Sequence, residues 1–115
     1  MWKISKSMKF DAAHKLENYK GPCANVHGHT FKVDIECEHN KLDYIGMLID
    51  FKYLKMFMDT ILKKFDHSYL NDVVDFNPTA ENLAKYIYEE LKKDIEFLVK
   101  VRVWESETAY AEYYE

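Results

Sequence analysis

The sequence predicts an α+β fold: a four-stranded antiparallel sheet in the order ββααββ, with two helices on one face. Three observations carry this. Apolar and polar side chains alternate every two residues toward both ends of the chain, the apolar period lengthens to helical spacing in the middle, and cap or turn residues mark each change. At 115 residues the chain reads as a single domain, 1–115, able to bury about two thirds of its unfolded surface.

In residues 2 to 14, Trp2, Ile4, Met8, Phe10, Ala12 and His14 share one parity, interrupted only by Lys6, which predicts a strand with one buried face. In residues 27 to 38, His27, His29, Phe31, Val33, Ile35 and Cys37 face one way, and Gly28, Thr30, Lys32, Asp34, Glu36 and Glu38 the other. After "GMLID", Phe51, Leu54, Phe57, Met58, Ile61, Leu62 and Phe65 recur at helical spacing. Asp50 is the expected N-cap, and the helix should end near Lys64. Asn77 before Pro78 suits an N-cap and first helical position, with Leu83, Ala84, Ile87 and Leu91 as the apolar stripe and an end near Lys93. Residues 99 to 105 alternate again, Val99, Val101, Val103 and Glu105 on one face, and a last strand runs from 108 to 114. Four strands leave two open edges, which small sheets commonly hide by oligomerising.

The net charge of -4 argues against a general nucleic-acid binder, which would present a concentrated basic face. No apolar run approaches the roughly 20 residues of a membrane span, no signal peptide is visible, and two cysteines make no disulfide framework. A cytoplasmic protein is expected, with neither membrane nor nucleic acid as partner.

"CANVHGHTF", residues 23 to 31, holds one of the two cysteines and two of the five histidines. His27 and His29 lie two apart on a strand, so both leave the same face, about 7 Å apart along the chain. His14 ends the buried face of the preceding strand. Antiparallel pairing of the two strands would bring all three imidazoles to one end of the sheet, the donor set of a catalytic zinc site. Against this stands the reading of each histidine as an ordinary core or surface residue. Gly28 between the pair suggests a bulge or close backbone approach, and His39 reads as loop surface.

Cys37 continues an apolar face and is expected in the core. Cys23, in a glycine and proline turn, is either a fourth metal ligand or a thiol poised as acid and base. Asp66 and His67 in "FDHSYLND" form a base-and-orienter pair only if the chain bends there; otherwise they cap the helix or lie on the surface. Glu105 extends the parity of three valines, where a carboxylate needs partners such as two adjacent N–H donors of a ligand, unless the strand frays into solvent. Thr79 and Glu81 read as first-turn residues of the second helix.

Taken together, "FDAAH", "CANVHGH", "GMLIDF", "FDHSYLND", "NPTAEN" and "VRVWESETAYAEY", in that order across essentially the whole chain, resemble the 6-pyruvoyl-tetrahydropterin synthase and 6-carboxy-tetrahydropterin synthase family. The resemblance implies a T-fold subunit whose strands join those of neighbours in a trimeric barrel, two trimers stacking as a hexamer, with active sites at subunit interfaces. It implies Zn2+ on His14, His27 and His29, Cys23 as catalytic acid and base assisted by Asp66 and His67, and Glu105 as anchor of the pterin N–H edge with Thr79 beside it. The three residues between Cys23 and His27 are similar to the 6-carboxy type, which acts on a pterin triphosphate; the 6-pyruvoyl type usually has a longer insert. Lys15 and Asn25 depart from the arginines of many relatives. A 6-pyruvoyl enzyme and a noncatalytic zinc- or pterin-binding module are the other readings.

Overall fold

Continuous alternation produces β1 (Trp2–His14) and β2 (His27–His39), an antiparallel hairpin thirteen residues long on each side in the computed structural model, which describes residues 1–115. The remaining elements are α1 (Phe51–Leu62), β3 (Ser68–Tyr69), α2 (Leu70–Val73), α3 (Ala80–Lys92), β4 (Leu98–Trp104) and β5 (Tyr110–Tyr114), with a 3-10 turn at Pro22–Ala24. The sheet runs β3-β1-β2-β4-β5 and is antiparallel except where β3 pairs with β1.

Hairpin register sets opposite partners on one face: Phe10 against Phe31, Met8 against Val33, Ile4 against Cys37. That face carries the core. Phe10 and Phe31 stack at 4.9 Å between ring centroids, and Phe65 closes on Phe10 at 5.6 Å. Leu54, Met58, Ile61 and Leu62 of α1, with Leu83, Ala84, Ile87 and Leu91 of α3, are buried in the same cluster of 22 residues. Cys37 is buried there too, and desolvation pushes its thiol up to about 11, which leaves it inert at neutral pH. No helix is long and apolar enough to cross a membrane.

Several expectations are corrected. The sheet has five strands and the chain three helices, because β3 and α2 form in a stretch too short to show a period, where Ser68 and Tyr69 add to β1 at Ala12 and Ala13. α1 stops at Leu62, and its cap is the expected Asp50, whose side chain accepts from the Lys52 N–H. α3 begins at Ala80 and its N-cap is Thr79, not Asn77; the Thr79 hydroxyl accepts from the Asn82 N–H at 3.1 Å, while the Asn77 amide is spent on the backbone of Glu17. In β4, Leu98 rather than Val99 joins the core: register shifts between Glu36 and Cys37, so one extra residue reverses the parity before Lys100. His39 belongs to β2, not a loop, and lies on the Phe97 ring at 4.0 Å.

The opposite face of the sheet is polar and densely paired. Asp34, 8% exposed, accepts from Ser7 Oγ at 2.5 Å and from Trp104 Nε1 at 2.7 Å, satisfying a carboxylate whose burial would otherwise be costly. Glu112 of β5 accepts from Arg102 Nε at 2.8 Å and Nη2 at 2.7 Å, and meets Lys100 Nζ at 3.1 Å. The Arg102 hydrogen bond is the largest effect and burial, which opposes it, the next; with the Lys100 hydrogen bond and the charges of both cations added, the Glu112 carboxyl is held below the usual carboxylate range. A folded value below the unfolded one gives stability that is present above the ordinary Glu pKa of about 4.3 and is lost as pH falls through the folded value. The urea midpoint is therefore expected to fall from about pH 5 downward, and Glu112→Gln to reduce that slope. An identical slope in the variant would show that the pair contributes nothing to acid sensitivity.

Candidate metal centre and active site

His14 ends β1, His27 begins β2, and the hairpin register makes them Cα partners, with His29 opposite Ala12 on the same face. The three rings meet edge to face, with centroids 4.6, 4.7 and 5.1 Å apart. His14 is completely buried. Its Nδ1 lies 2.8 Å from the Pro78 carbonyl, and His27 Nδ1 lies 2.7 Å from the Asn25 carbonyl. A carbonyl can only accept, so both Nδ1 atoms carry the hydrogen, and in the neutral rings both Nε2 atoms present lone pairs.

Those two Nε2 atoms face each other at 3.0 Å with no proton to share. His29 Nε2 is buried without an aligned hydrogen bond, although Glu105 Oε1 is 3.0 Å away and reaches to 3.7 Å from His14 Nε2. Burial lowers the His29 pKa; Glu105 opposes this, and neighbouring His14 and His27 reinforce it. Two nitrogen lone pairs, a third imidazole Nε2 and a carboxylate thus occupy one small space, an arrangement that a cation relieves. The donor set fits Zn2+, and the two carbonyls holding Nδ1 are the outer partners that orient such ligands. Gly28 sits in unbroken register opposite Ala13, and a Cβ there would meet the Ala12 carbonyl only at an ordinary 3.7 Å, so neither a bulge nor close approach explains it.

Cys23 is half-buried in the 3-10 turn, and its thiol stands outside the group formed by His14, His27, His29 and Glu105. Glu105 lies one residue beyond β4, held by its own N–H donating to the Ala109 carbonyl, and its carboxylate joins the histidines. Thr79 Oγ1 is engaged as the α3 cap.

Asp66 and His67 do meet, at 3.6 Å between Oδ2 and Nε2. Neighbours in regular structure point apart; here His67 takes left-handed backbone, φ 56°, and its N–H donates to the Asp11 carbonyl at 2.7 Å while Asp66 Oδ1 accepts from the Asp11 N–H. Asp11 completes a second group with this pair, and Thr30 Oγ1 donates to its carboxylate. Sequence reading missed Asp11, whose only signal was its place on the polar parity of β1. The side chain of Asp11 leaves the sheet on the face opposite the imidazoles, so one chain does not gather the histidines, Cys23 and the Asp66–His67 pair into one group.

Comparison with known proteins identifies the family and the fold. The chain is 33% identical to the 6-carboxy-5,6,7,8-tetrahydropterin synthase of Haemophilus influenzae over 141 aligned residues that cover all of both chains. It is 38% identical to the dihydroneopterin monophosphate aldolase of Pyrococcus furiosus over 101 residues, 84% of this chain and 82% of that one. The solved structure of 6-pyruvoyl tetrahydropterin synthase from Caenorhabditis elegans superposes with a TM-score of 0.89 at 28% identity, covering 99% of this chain and 95% of that one, so the T-fold subunit is present here. With the 6-pyruvoyl tetrahydropterin synthase family model matching residues 3–115 as well, the chain belongs to that family.

Proposed function

We propose that the protein is a zinc-dependent 6-carboxy-5,6,7,8-tetrahydropterin synthase of the cytoplasm, a carbon–carbon lyase. It converts 7,8-dihydroneopterin triphosphate to 6-carboxytetrahydropterin, acetaldehyde and triphosphate, for queuosine and 7-deazaguanine synthesis. The observation that carries this reading is the convergence of three histidine Nε2 atoms beside a carboxylate, with no proton between the closest two.

Zn2+ bound by His14, His27 and His29 would supply Lewis-acid activation of the substrate's side-chain hydroxyls. The carbonyls of Pro78 and Asn25 keep two of the rings aimed inward. Cys23, outside the ligand group, exchanges protons with the substrate side chain; Asp66 and His67 assist. In their own chain that pair gathers on the polar side of the sheet, which supports sites shared between subunits of a trimer or hexamer, and the open edges at β3 and β5 favour the same assembly. Glu105 accepts two adjacent N–H groups of the pterin ring. Thr79 still has a hydroxyl hydrogen to donate after accepting from Asn82. The whole chain, 1–115, forms the single catalytic domain, and neither nucleic acid nor membrane is a partner.

The likeness to the Caenorhabditis elegans structure favours a second reading, a 6-pyruvoyl enzyme that keeps the side-chain carbons. The three-residue gap from Cys23 to His27 supports the first. Incubation with dihydroneopterin triphosphate decides: acetaldehyde release is expected, and a product retaining every side-chain carbon would replace the proposal with the second reading. Binding of pterin without turnover by zinc-loaded protein would make it a noncatalytic module. Cys23→Ala is expected to keep zinc near wild-type content while turnover drops at least about 100-fold; metal loss in that variant would make Cys23 a ligand. Glu105→Gln is expected to raise KM by about 10-fold or more at unchanged zinc content, the loss of a charge-assisted bond. Should KM hold and zinc affinity fall instead, Glu105 is a fourth ligand rather than the pterin anchor.

A further inference from the structure

Residues 15 to 26 leave β1 at His14 and return to β2 at His27, carrying Cys23 between two metal-site strands. Within this loop, Ala24 N–H to Gly21 O and Asn25 N–H to Pro22 O hold only the 3-10 turn itself. One backbone hydrogen bond crosses the loop: Leu16 N–H donates to the Cys23 carbonyl at 3.0 Å.

The loop segment carrying Leu16 is held from outside by two asparagine side chains. Asn71 Oδ1 accepts from the Lys15 N–H at 2.9 Å and Asn71 Nδ2 donates to the Lys15 carbonyl at 2.9 Å. Asn77 does the same to Glu17, at 2.9 and 3.3 Å. A carboxamide pairs one donor with one acceptor, as a peptide group does, so each asparagine stands in for a residue of a neighbouring strand. Lys15 and Glu17 are two apart, so their peptide groups point to one side, toward the asparagines, and that of Leu16 points to the other, toward Cys23. The two amides therefore form two rungs of a missing strand, and Cys23 is bonded to the opposite edge.

Asn71 is in α2, four residues after His67, and Asn77 immediately precedes Pro78, whose carbonyl holds His14. The same two side chains thus tie the Cys23 loop to the segment bearing Asp66 and His67 and to the support of a metal ligand. We infer that Asn71 and Asn77 are positioning residues for Cys23, fixing its thiol relative to the metal site. The inference rests on the proposed acid–base role of Cys23 for its effect on turnover, and on geometry alone for its effect on the thiol.

The test uses zinc-loaded protein with Asn71→Ala and Asn77→Ala combined, and measures the alkylation rate of Cys23, zinc content, kcat and KM. Buried Cys37 is the internal control. Alkylation of Cys23 is expected to speed about tenfold, kcat to fall by a similar factor, and zinc and KM to stay near wild type. Asn71→Asp and Asn77→Asp keep the acceptors and lose the donors, so they should move both rates less, and they serve as the reading if the alanine variant does not fold. Cys23 reacting at the wild-type rate in the folded variants overturns the inference whatever happens to kcat. Faster alkylation with unchanged kcat supports the positioning role and overturns the acid–base role of Cys23 instead.

Discussion

Everything at the candidate site depends on the register of the β1–β2 hairpin. Pairing His14 with His27 sets the imidazoles together, and the same register sets Phe10, four residues before His14, on Phe31, four residues after His27. A slip of one residue would carry His27, His29, Phe31, Val33 and Ile35 to the polar face together, so core and donor set cannot be lost separately. Hydrophobic burial, the larger effect, thereby enforces a crowding of lone pairs that would not form by itself. The stacked aromatic rings stabilise by dispersion and area burial what the histidines cost in electrostatic repulsion.

Much of this was legible in the sequence. Strand parity put His27 and His29 on one face, His14 at the end of another buried face and Cys37 in the core, because alternation over thirteen residues leaves little freedom; the meeting of all three histidines needed antiparallel pairing of the two strands as well. What escaped had no period to betray it. β3 spans two residues and α2 four. The extra residue in β4 reversed the parity of Val99 while leaving Val101 and Val103 as read. Asn77 looked like a cap because asparagine commonly is one; tertiary partners claimed its amide and left Thr79 to cap α3. The meeting of Asp66 with His67 required a left-handed residue that sequence spacing argues against, and it is imposed by two backbone-directed bonds to Asp11.

The two faces of the sheet solve different electrostatic problems. On the polar face, Asp34, Glu36 and Glu112 each have a cationic partner within the chain, and an indole N–H reaches Asp34 as well. At the histidine cluster the matching is different: burial lowers the His29 pKa, and the Glu105 carboxylate stands 3.0 Å from its Nε2. The acids of one side stand beside cations, whereas on the other the Nε2 atoms of His14 and His27 face each other without one. That contrast within one sheet marks the cluster as prepared for a cation rather than poorly folded.

The loop between His14 and His27 begins and ends on paired residues of one hairpin, so its ends are held together whatever lies between them. The entropic penalty of closing such a loop rises only slowly with its length. Insertions or deletions around Cys23 can therefore change where the thiol sits without moving His14, His27 or His29. The hairpin separates a part of the protein that tolerates no change in length from one that tolerates many, and new chemistry can evolve in the second while the first stays fixed.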